Sequence, residues 1–234
     1  MSKFLNKGQT NTKQDDLFQA VKDGNMTNVQ NLIEQDKVSP AQMDDDDRTL
    51  LHLAAAAGHV AIANYLIVKH NLSVNTSDDG GWTPLLSAAS AGHTNMVKLL
   101  LENNADPNVA TESKRTPLHY ACSKGRSDIV DLLLNAGAKS VKDETGSAPI
   151  HRAAANGNPN VITRLIKAGH NINSQNAELD TAAHIAAVYG NEEIIQALLS
   201  NNADFTLENK ESKTPSQVCT SAGIKYLIDE YSKK

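Results

Sequence analysis

A motif that recurs about every 33 residues constrains this chain more than any other feature. Five segments carry it: TLLHLAAAAGHVAIANYLI, TPLLSAASAGHTNMVKLLL, TPLHYACSKGRSDIVDLLL, APIHRAAANGNPNVITRLI and TAAHIAAVYGNEEIIQALL. They begin at Thr49, Thr83, Thr116, Ala148 and Thr181, so that successive starts are 34, 33, 32 and 33 positions apart. A fixed period of this length indicates a repeat architecture, in which each unit contacts its neighbours in the sequence.

Each repeat predicts a short helix, a tight turn, a second helix and an extended loop. The starting threonines are placed to cap the first helix with a side-chain oxygen. Pro84, Pro117 and Pro149 follow at the first helical position, where a missing N–H is tolerated. A glycine recurs in the turn, where we expect left-handed backbone. These turn glycines are Gly58, Gly92, Gly125, Gly157 and Gly190.

The period and the T-P-L-H-x-A signature resemble the ankyrin repeat. Two degenerate units, DLFQAVKDGNMTNVQNLI and TPSQVCTSAGIKYLIDEY, precede and follow the five clear ones. The resemblance implies an all-α ankyrin-repeat solenoid of seven repeats, two of them caps, with β-hairpin-like finger loops. We expect one domain over residues 15–234, with repeats starting near 16, 49, 83, 116, 148, 181 and 214. We expect the polar residues 1–14 to form a flexible N-terminal extension.

His119 and Cys122 stand close together and raise the question of an active site or a metal site. The histidine slot recurs, however, with His52, His151 and His184 in other repeats and Leu86 in the third. In ankyrin repeats, which this chain resembles, the histidine of this slot is a structural hydrogen-bonding residue. Cys122 occupies a slot that other repeats fill with Ala, which indicates a small buried side chain. We therefore predict structural roles for both residues, with no catalytic site, metal or cofactor.

The composition narrows the function further. A net charge of -5 argues against broad binding to nucleic acid. The two cysteines imply no disulfide framework and suggest a reducing compartment. No stretch approaches the roughly 18 apolar residues of a membrane span, and the sequence lacks the motifs of phosphate loops, zinc proteases and serine hydrolases. We expect a non-enzymatic cytoplasmic and nuclear protein, monomeric on its own, that contacts neither nucleic acid nor a membrane.

The binding residues of an ankyrin stack lie on the fingertips and on the exposed side of the first helices. The slot before each repeat start holds Arg48, Trp82, Arg115, Ser147, Asp180 and Lys213. The slot after each histidine, which we expect to be exposed, holds Leu53, Ser87, Tyr120, Arg152 and Ile185. The slot before each turn glycine holds Ala57, Ala91, Lys124, Asn156 and Tyr189. The early fingers are acidic, since they carry Asp44, Asp45, Asp46, Asp47, Asp78 and Asp79, and the middle repeats are basic, since they carry Arg115, Lys124, Arg126 and Arg152.

Trp82 is the only tryptophan of the chain, and it falls at a predicted fingertip. Aromatic residues and arginines are common anchors of protein interfaces, so we expect Trp82 to contact a partner. Packing of one finger against the next is the alternative. For the finger carboxylates, the alternative is that they only keep the loops solvated.

Four segments, DDDDRTLLH, DDGGWTPLLSAASAGH, RTPLHYACSKGR and APIHRAAANGN, resemble the gankyrin family. This resemblance implies a chaperone for assembly of the proteasome regulatory particle, which holds the C-terminal domain of one proteasomal ATPase subunit in its concave face. Arg48, Lys124 and Arg126 would then meet acidic partner groups. The alternative is a generic ankyrin adaptor or inhibitor of a kinase or transcription factor. The predicted partner-binding residues are Asp46, Arg48, Asp78, Asp79, Trp82, Arg115, Tyr120, Lys124, Arg126, Arg152 and Tyr189.

Overall fold

The computed structural model describes residues 12–231, which form seven consecutive helix pairs. Its only residues in a β-bridge within that range are Met43 and Thr49, so the predicted all-α class is confirmed. The chain divides into two compact units, the first ending at Ala105 and the second beginning at Asp106. The boundary falls between the third and fourth repeats.

The first unit holds three helix pairs in two layers. Its helices are α1 (Thr12–Lys22), α2 (Met26–Gln30), which continues as a π-helical turn (Asn31–Gln35), α3 (Leu50–Ala57), α4 (Val60–His70), α5 (Pro84–Ala91) and α6 (Thr94–Glu102). The first helices pack in the order α1, α3, α5, and the second helices in the order α2, α4, α6. Fully buried leucines such as Leu17, Leu51 and Leu66 lie between the layers.

The first helix begins earlier than the sequence predicts. Residues 12–14, expected to belong to the flexible extension, form the first turn of α1. Residues 1–11, the rest of the expected extension, lie outside the described part of the chain.

The second unit repeats the same layering four times. Its helices are α7 (Pro117–Ser123), α8 (Ser127–Asn135), α9 (Pro149–Asn156), α10 (Pro159–Lys167), α11 (Ala182–Tyr189), α12 (Glu192–Ser200), α13 (Pro215–Val218) and α14 (Ala222–Tyr231). First helices α7, α9, α11 and α13 form one row, and α8, α10, α12 and α14 form the other. The last pair is reduced, because α13 has only four residues.

The predicted helix starts are confirmed. The hydroxyl oxygens of Thr49, Thr83 and Thr181 each accept a hydrogen bond, 3.4 Å long, from the backbone N–H three residues later. Each proline predicted at a first helical position, including Pro84, lies there. These caps satisfy N–H groups that a helix leaves without an internal partner.

All five predicted turn glycines have positive φ angles. At Gly58 the angle is 78°, in the left-handed region that glycine adopts without strain. A Cβ atom there would also lie 2.6 Å from Nδ1 of His93 in the next repeat. The turn therefore requires glycine for two independent reasons, backbone conformation and the close approach of the neighbouring ring.

Candidate functional site

The finger loops that precede the first helices share one hydrogen-bonding pattern. In the finger before α5, the backbone N–H of Asp78 donates to the carbonyl of Trp82 at 2.8 Å. Oδ1 of Asp78 accepts from the N–H groups of Gly80 at 3.0 Å and Trp82 at 2.8 Å. The same closing bond joins Asp44 to Arg48, Thr111 to Arg115, Asp143 to Ser147, Asn176 to Asp180, and Asn209 to Lys213. The first residue of each finger therefore closes the loop by hydrogen bonding to the residue at the fingertip.

The repeated histidines hold the fingertips in place. Nδ1 of His52 accepts from the backbone N–H of Thr49 at 3.0 Å, so the ring proton lies on Nε2, which donates to the carbonyl of Trp82 at 2.9 Å. The equivalent bonds to the next finger run from His119 to Ser147, from His151 to Asp180, and from His184 to Lys213. The predicted structural role of these histidines is confirmed. Burial lowers the pKa of His52, His119 and His151.

In the first unit, Arg48 lies in an ion pair with two carboxylates of its own finger. Its guanidinium is 2.9 Å from Oδ2 of Asp44 and 2.9 Å from Oδ2 of Asp46. Burial tends to raise the pKa of Asp44, but hydrogen bonds from Arg48 and from the loop backbone outweigh it and lower the pKa. The N–H of Asp79 donates to the carbonyl of Asp46 at 3.2 Å, which ties two neighbouring fingers together. Three predicted residues, Asp46, Arg48 and Asp79, therefore lie close to one another.

Trp82 is half-buried at the end of its finger. Its backbone carbonyl accepts both the closing bond of the loop and the His52 bond, so the position of the residue is well determined. The indole lies over the loop itself, because a Cβ atom on Gly80 would be 3.3 Å from Cδ1 of Trp82. A half-buried aromatic ring is compatible with both interpretations of the sequence, a partner contact and packing within the fingers.

In the second unit, one buried carboxylate organises two predicted arginines. The Asp143 side chain is 1% exposed, and its Oδ2 pairs with the guanidinium of Arg152 and lies 3.5 Å from Nε of Arg115. Its Oδ1 accepts from the N–H groups of Thr145 and Ser147. Burial alone would raise the pKa of Asp143, but the hydrogen bonds from Arg152 and Thr145 outweigh it and lower the pKa to about 2.

Asp143 itself is absent from the predicted set. The signal that identifies it is its place in the chain: it opens its finger as Asp44 and Asp78 open theirs. Arg115 and Arg152 belong to different repeats, so their convergence on one carboxylate is a property of the packed fingers.

The other predicted residues of this unit are spread over its first helices and turns. Tyr120 and Arg126 are half-buried, Lys124 is exposed, and Tyr189 is 66% exposed beside Val188 at the end of α11. Nothing tests their contact with a partner, which stays a prediction.

The prediction that Leu53 is exposed is wrong. Leu53 is only 7% exposed, although the corresponding residues Ser87, Tyr120, Arg152 and Ile185 are half-buried. The helix that carries it, α3, packs against both α1 and α5. Leu53 therefore belongs to the core and not to a binding surface.

Cys122 is completely buried, in agreement with the predicted small-residue slot. Burial raises the pKa of its thiol well above the ordinary value, which disfavours the reactive thiolate.

Over residues 12–231, no three His, Cys, Asp or Glu side chains are grouped so that they could hold a metal ion. In the same part of the chain, no helix has the length and apolar character needed to span a membrane.

The family model "Ankyrin repeats (3 copies)" matches residues 17–111, 68–144, 105–176 and 150–234. These overlapping ranges run from the first helix pair to the last, and the chain therefore belongs to the ankyrin-repeat family. The solved ankyrin repeat domain of human ASB11 is similar with a TM-score of 0.82 and 24% identity, covering 92% of this chain and 96% of that one. The solved ankyrin repeat domain of Bcl-3 has a TM-score of 0.79 and 26% identity, with coverages of 96% and 100%.

Among curated proteins, the 26S proteasome non-ATPase regulatory subunit 10 of Dictyostelium discoideum is 58% identical over 95 residues, or 41% of each chain. The ankyrin repeat and KH domain-containing protein mask of Drosophila melanogaster is 37% identical over 93 residues, 38% of this chain and 2% of that protein. The matches thus span less than half the length of these relatives. The match to the proteasome regulatory subunit confirms the predicted resemblance to a gankyrin-type protein over part of the chain.

Proposed function

We propose that this chain is a chaperone for assembly of the proteasome regulatory particle, and that it holds the C-terminal domain of one proteasomal ATPase subunit. The observation that carries the proposal is the 58% identity over 95 residues to a proteasome non-ATPase regulatory subunit. The ankyrin repeats support a protein-binding role, because stacked repeats present extended surfaces to partners. The chain acts in this proposal as a scaffold without catalysis.

The fingers of the first unit favour a basic surface of the partner. Asp45, Asp46 and Asp79 are exposed, and the single arginine of this finger, Arg48, is already paired with Asp44 and Asp46. Complementary charge steers association and selects among partners more than it adds affinity. Trp82 supplies an aromatic anchor beside these charges.

The second unit favours acidic partner groups. Arg115 is 39% exposed and Arg152 is 27% exposed, and they share one carboxylate, so a positive charge remains. Arginine presents several N–H donors in a fixed plane, which suits recognition of carboxylates. We include Tyr120, Lys124, Arg126 and Tyr189 in the contact, because they occupy the first helices and turns of the second unit.

The decisive experiment measures binding to the separately purified C-terminal domains of the proteasomal ATPase subunits. We expect tight binding to one domain. Lys124→Glu combined with Arg126→Glu, both in the second unit, should weaken it on the order of a hundredfold, because repulsion of acidic partner groups replaces attraction. Lys167→Glu, at an exposed position on α10, is the matched control and should bind like wild type.

Two results would contradict the proposal. One is a folded double variant that binds with wild-type affinity. The other is a chain that binds none of the ATPase domains and instead captures a kinase or transcription factor from cell extract, which would favour a generic adaptor.

A further inference from the structure

A cleft of about 560 Å³ lies in the first unit between α1 and the finger before α3. We call it the acidic cleft. It is lined by Gln14, Asp15, Phe18, Gln42, Met43, Asp44, Asp45, Asp46 and Arg48. Its volume is within the range of about 300–1,000 Å³ typical of binding pockets. Only Asp46 and Arg48 belong to the surface predicted from the sequence.

Gln14 is the feature that points to a ligand. The residue is 7% exposed, and neither Nε2 nor Oε1 of its side chain has a hydrogen-bond partner among the described residues. Buried amides are satisfied in nearly all folded proteins, because an unpaired donor and acceptor destabilise the fold. A primary amide places an N–H donor beside a C=O acceptor, which matches the C=O and N–H groups of an extended peptide backbone.

The charges around the amide favour a cation. Four carboxylates line the cleft against the single guanidinium of Arg48, which pairs with Asp44 and Asp46. Asp15 and Asp45 are exposed, and no ion pair to either is found among the described residues. A basic group of a partner would therefore meet carboxylates that are not already neutralised within the cleft.

The apolar part of the lining fits the stem of such a residue. Phe18 is 8% exposed and forms part of the floor, whereas Met43 is 46% exposed. Lysine and arginine side chains place their methylene groups along apolar surface while the charged end stays with polar groups. Methionine adapts its shape to what packs against it.

We propose that the acidic cleft binds an extended segment of a partner protein that carries an arginine or lysine. The backbone of the segment pairs with the Gln14 amide, the stem of its basic side chain packs against Met43, and the charged end meets Asp15 and Asp45. The Gln14 amide has no hydrogen-bond partner among the described residues, so a rotation of its side chain toward the segment breaks no hydrogen bond to them. The inference deepens the proposed function and rests on it for its biological meaning.

The test titrates the ¹⁵N-labelled full chain with the tripeptide Ac-Gly-Arg-Gly-NH₂ and follows the Gln14 side-chain amide by NMR. The peptide contains no ATPase sequence, so this result and the ATPase binding result can fail separately. We expect saturable shifts of the Gln14 amide and of the backbone N–H of Asp45, with a dissociation constant on the order of millimolar for so small a ligand. Ac-Gly-Glu-Gly-NH₂ should cause none.

Two matched pairs of variants identify the groups involved. Asp45→Asn should weaken binding by about threefold, whereas Asp47→Asn, in the same finger but outside the cleft, should not. Gln14→Met should weaken binding by about fivefold and raise the melting temperature, because it removes an unsatisfied buried amide. Gln19→Met, an exposed position on α1, is its control.

Three results would overturn the inference. The first is peptide binding that neither Asp45→Asn nor Gln14→Met weakens. The second is a Gln14→Met variant of lower melting temperature with unchanged binding, which would mean a purely structural amide. The third is a wild-type chain that ignores the peptide while Lys3→Gln with Lys7→Gln shifts the Gln14 amide, which would assign the cleft to the chain's own N-terminal residues.

Discussion

The two units balance the charges of their fingers in opposite ways. In the first unit, one arginine, Arg48, is paired with two carboxylates, of which Asp46 is 56% exposed. In the second unit, Arg115 and Arg152 share the carboxylate of Asp143, which is 1% exposed. Exposed ion pairs contribute little to stability, whereas loss of one partner from a buried pair is costly. The ion pairs of the second-unit fingers should therefore contribute more to stability than those of the first-unit finger.

The links that run back to the preceding repeat also differ. In the first unit, His59 and His93 donate from Nε2 to the carbonyls of Lys22 and Ala56, at 2.9 and 3.0 Å. In the second unit, Asn191 makes the corresponding bond to the carbonyl of Ala154 at 2.8 Å, and Asn158 bonds instead to the carbonyl of the turn residue Gly125 at 2.9 Å. Either an imidazole or an amide fulfils this role, because the geometry requires only one N–H donor of suitable reach.

The largest effect should follow from removing the buried carboxylate of the second unit. Asp143→Ala leaves Arg152 and two loop N–H groups without their acceptor and removes the ion-pair partner of Arg115, and we expect a loss of about 3 kcal/mol in the free energy of unfolding. Urea denaturation measures it. Asp131→Ala, which breaks the half-exposed pair with Arg164, is the control and should cost about 1 kcal/mol or less. Equal losses would show that burial of Asp143 has no energetic consequence.

Variants of two turn glycines should separate the energetic cost of left-handed backbone strain from the cost of a steric contact with the new Cβ atom. Gly58→Ala combines left-handed backbone with the His93 contact, and we expect a loss of about 2–3 kcal/mol. Gly190→Ala, in the second unit, shares the left-handed backbone but has no atom within 4 Å of the new Cβ, so it should cost about 1 kcal/mol. Thermal unfolding of the two variants measures the difference. Identical losses would mean that the His93 ring moves aside freely.

Acidification should weaken the second unit more than the first. Burial lowers the pKa of His119 and His151 in the second unit and of His52 in the first. Folded neutral histidines contribute stability that is complete above the unfolded pKa of about 6.5 and decreases as the pH falls from there toward the folded pKa values. Hydrogen exchange at pH 7.5 and 5.5 measures protection in each unit. Protection that is independent of pH in both units would contradict the assigned tautomers.

The smallest effect should be that of Arg48→Ala on stability. Its pair with Asp46 is exposed to solvent and its pair with Asp44 is only partly buried, so we expect a change of about 1 kcal/mol or less in the free energy of unfolding. Arg152→Ala is the comparison, because it removes the closest partner of buried Asp143 and should cost clearly more. Urea denaturation of both variants measures the contrast. A larger loss for Arg48→Ala would reverse the distinction between the two units.

The sequence by itself determined the repeat boundaries, the helix caps, the turn glycines and the role of the histidines. Thr49 and His52 make hydrogen bonds that recur at the same positions of other repeats, and Gly58 adopts a backbone conformation that also recurs. The repeat pattern in the sequence therefore identifies all three residues. The small-residue slot likewise assigned Cys122 to the core. Such features depend on local geometry and on the neighbouring repeat, both of which the period itself conveys.

The tertiary structure alone decided how individual side chains pair and which positions are covered. Three features have no counterpart in the repeat pattern: the convergence of Arg115 and Arg152 on Asp143, the burial of Leu53, and the Gln14 amide, which is unpaired among the described residues. Each depends on side-chain directions and on the closeness of loops from different repeats. The repeat pattern gives the position of a residue within its own repeat. The contacts of that residue depend on which side chains of the adjacent repeat lie opposite it.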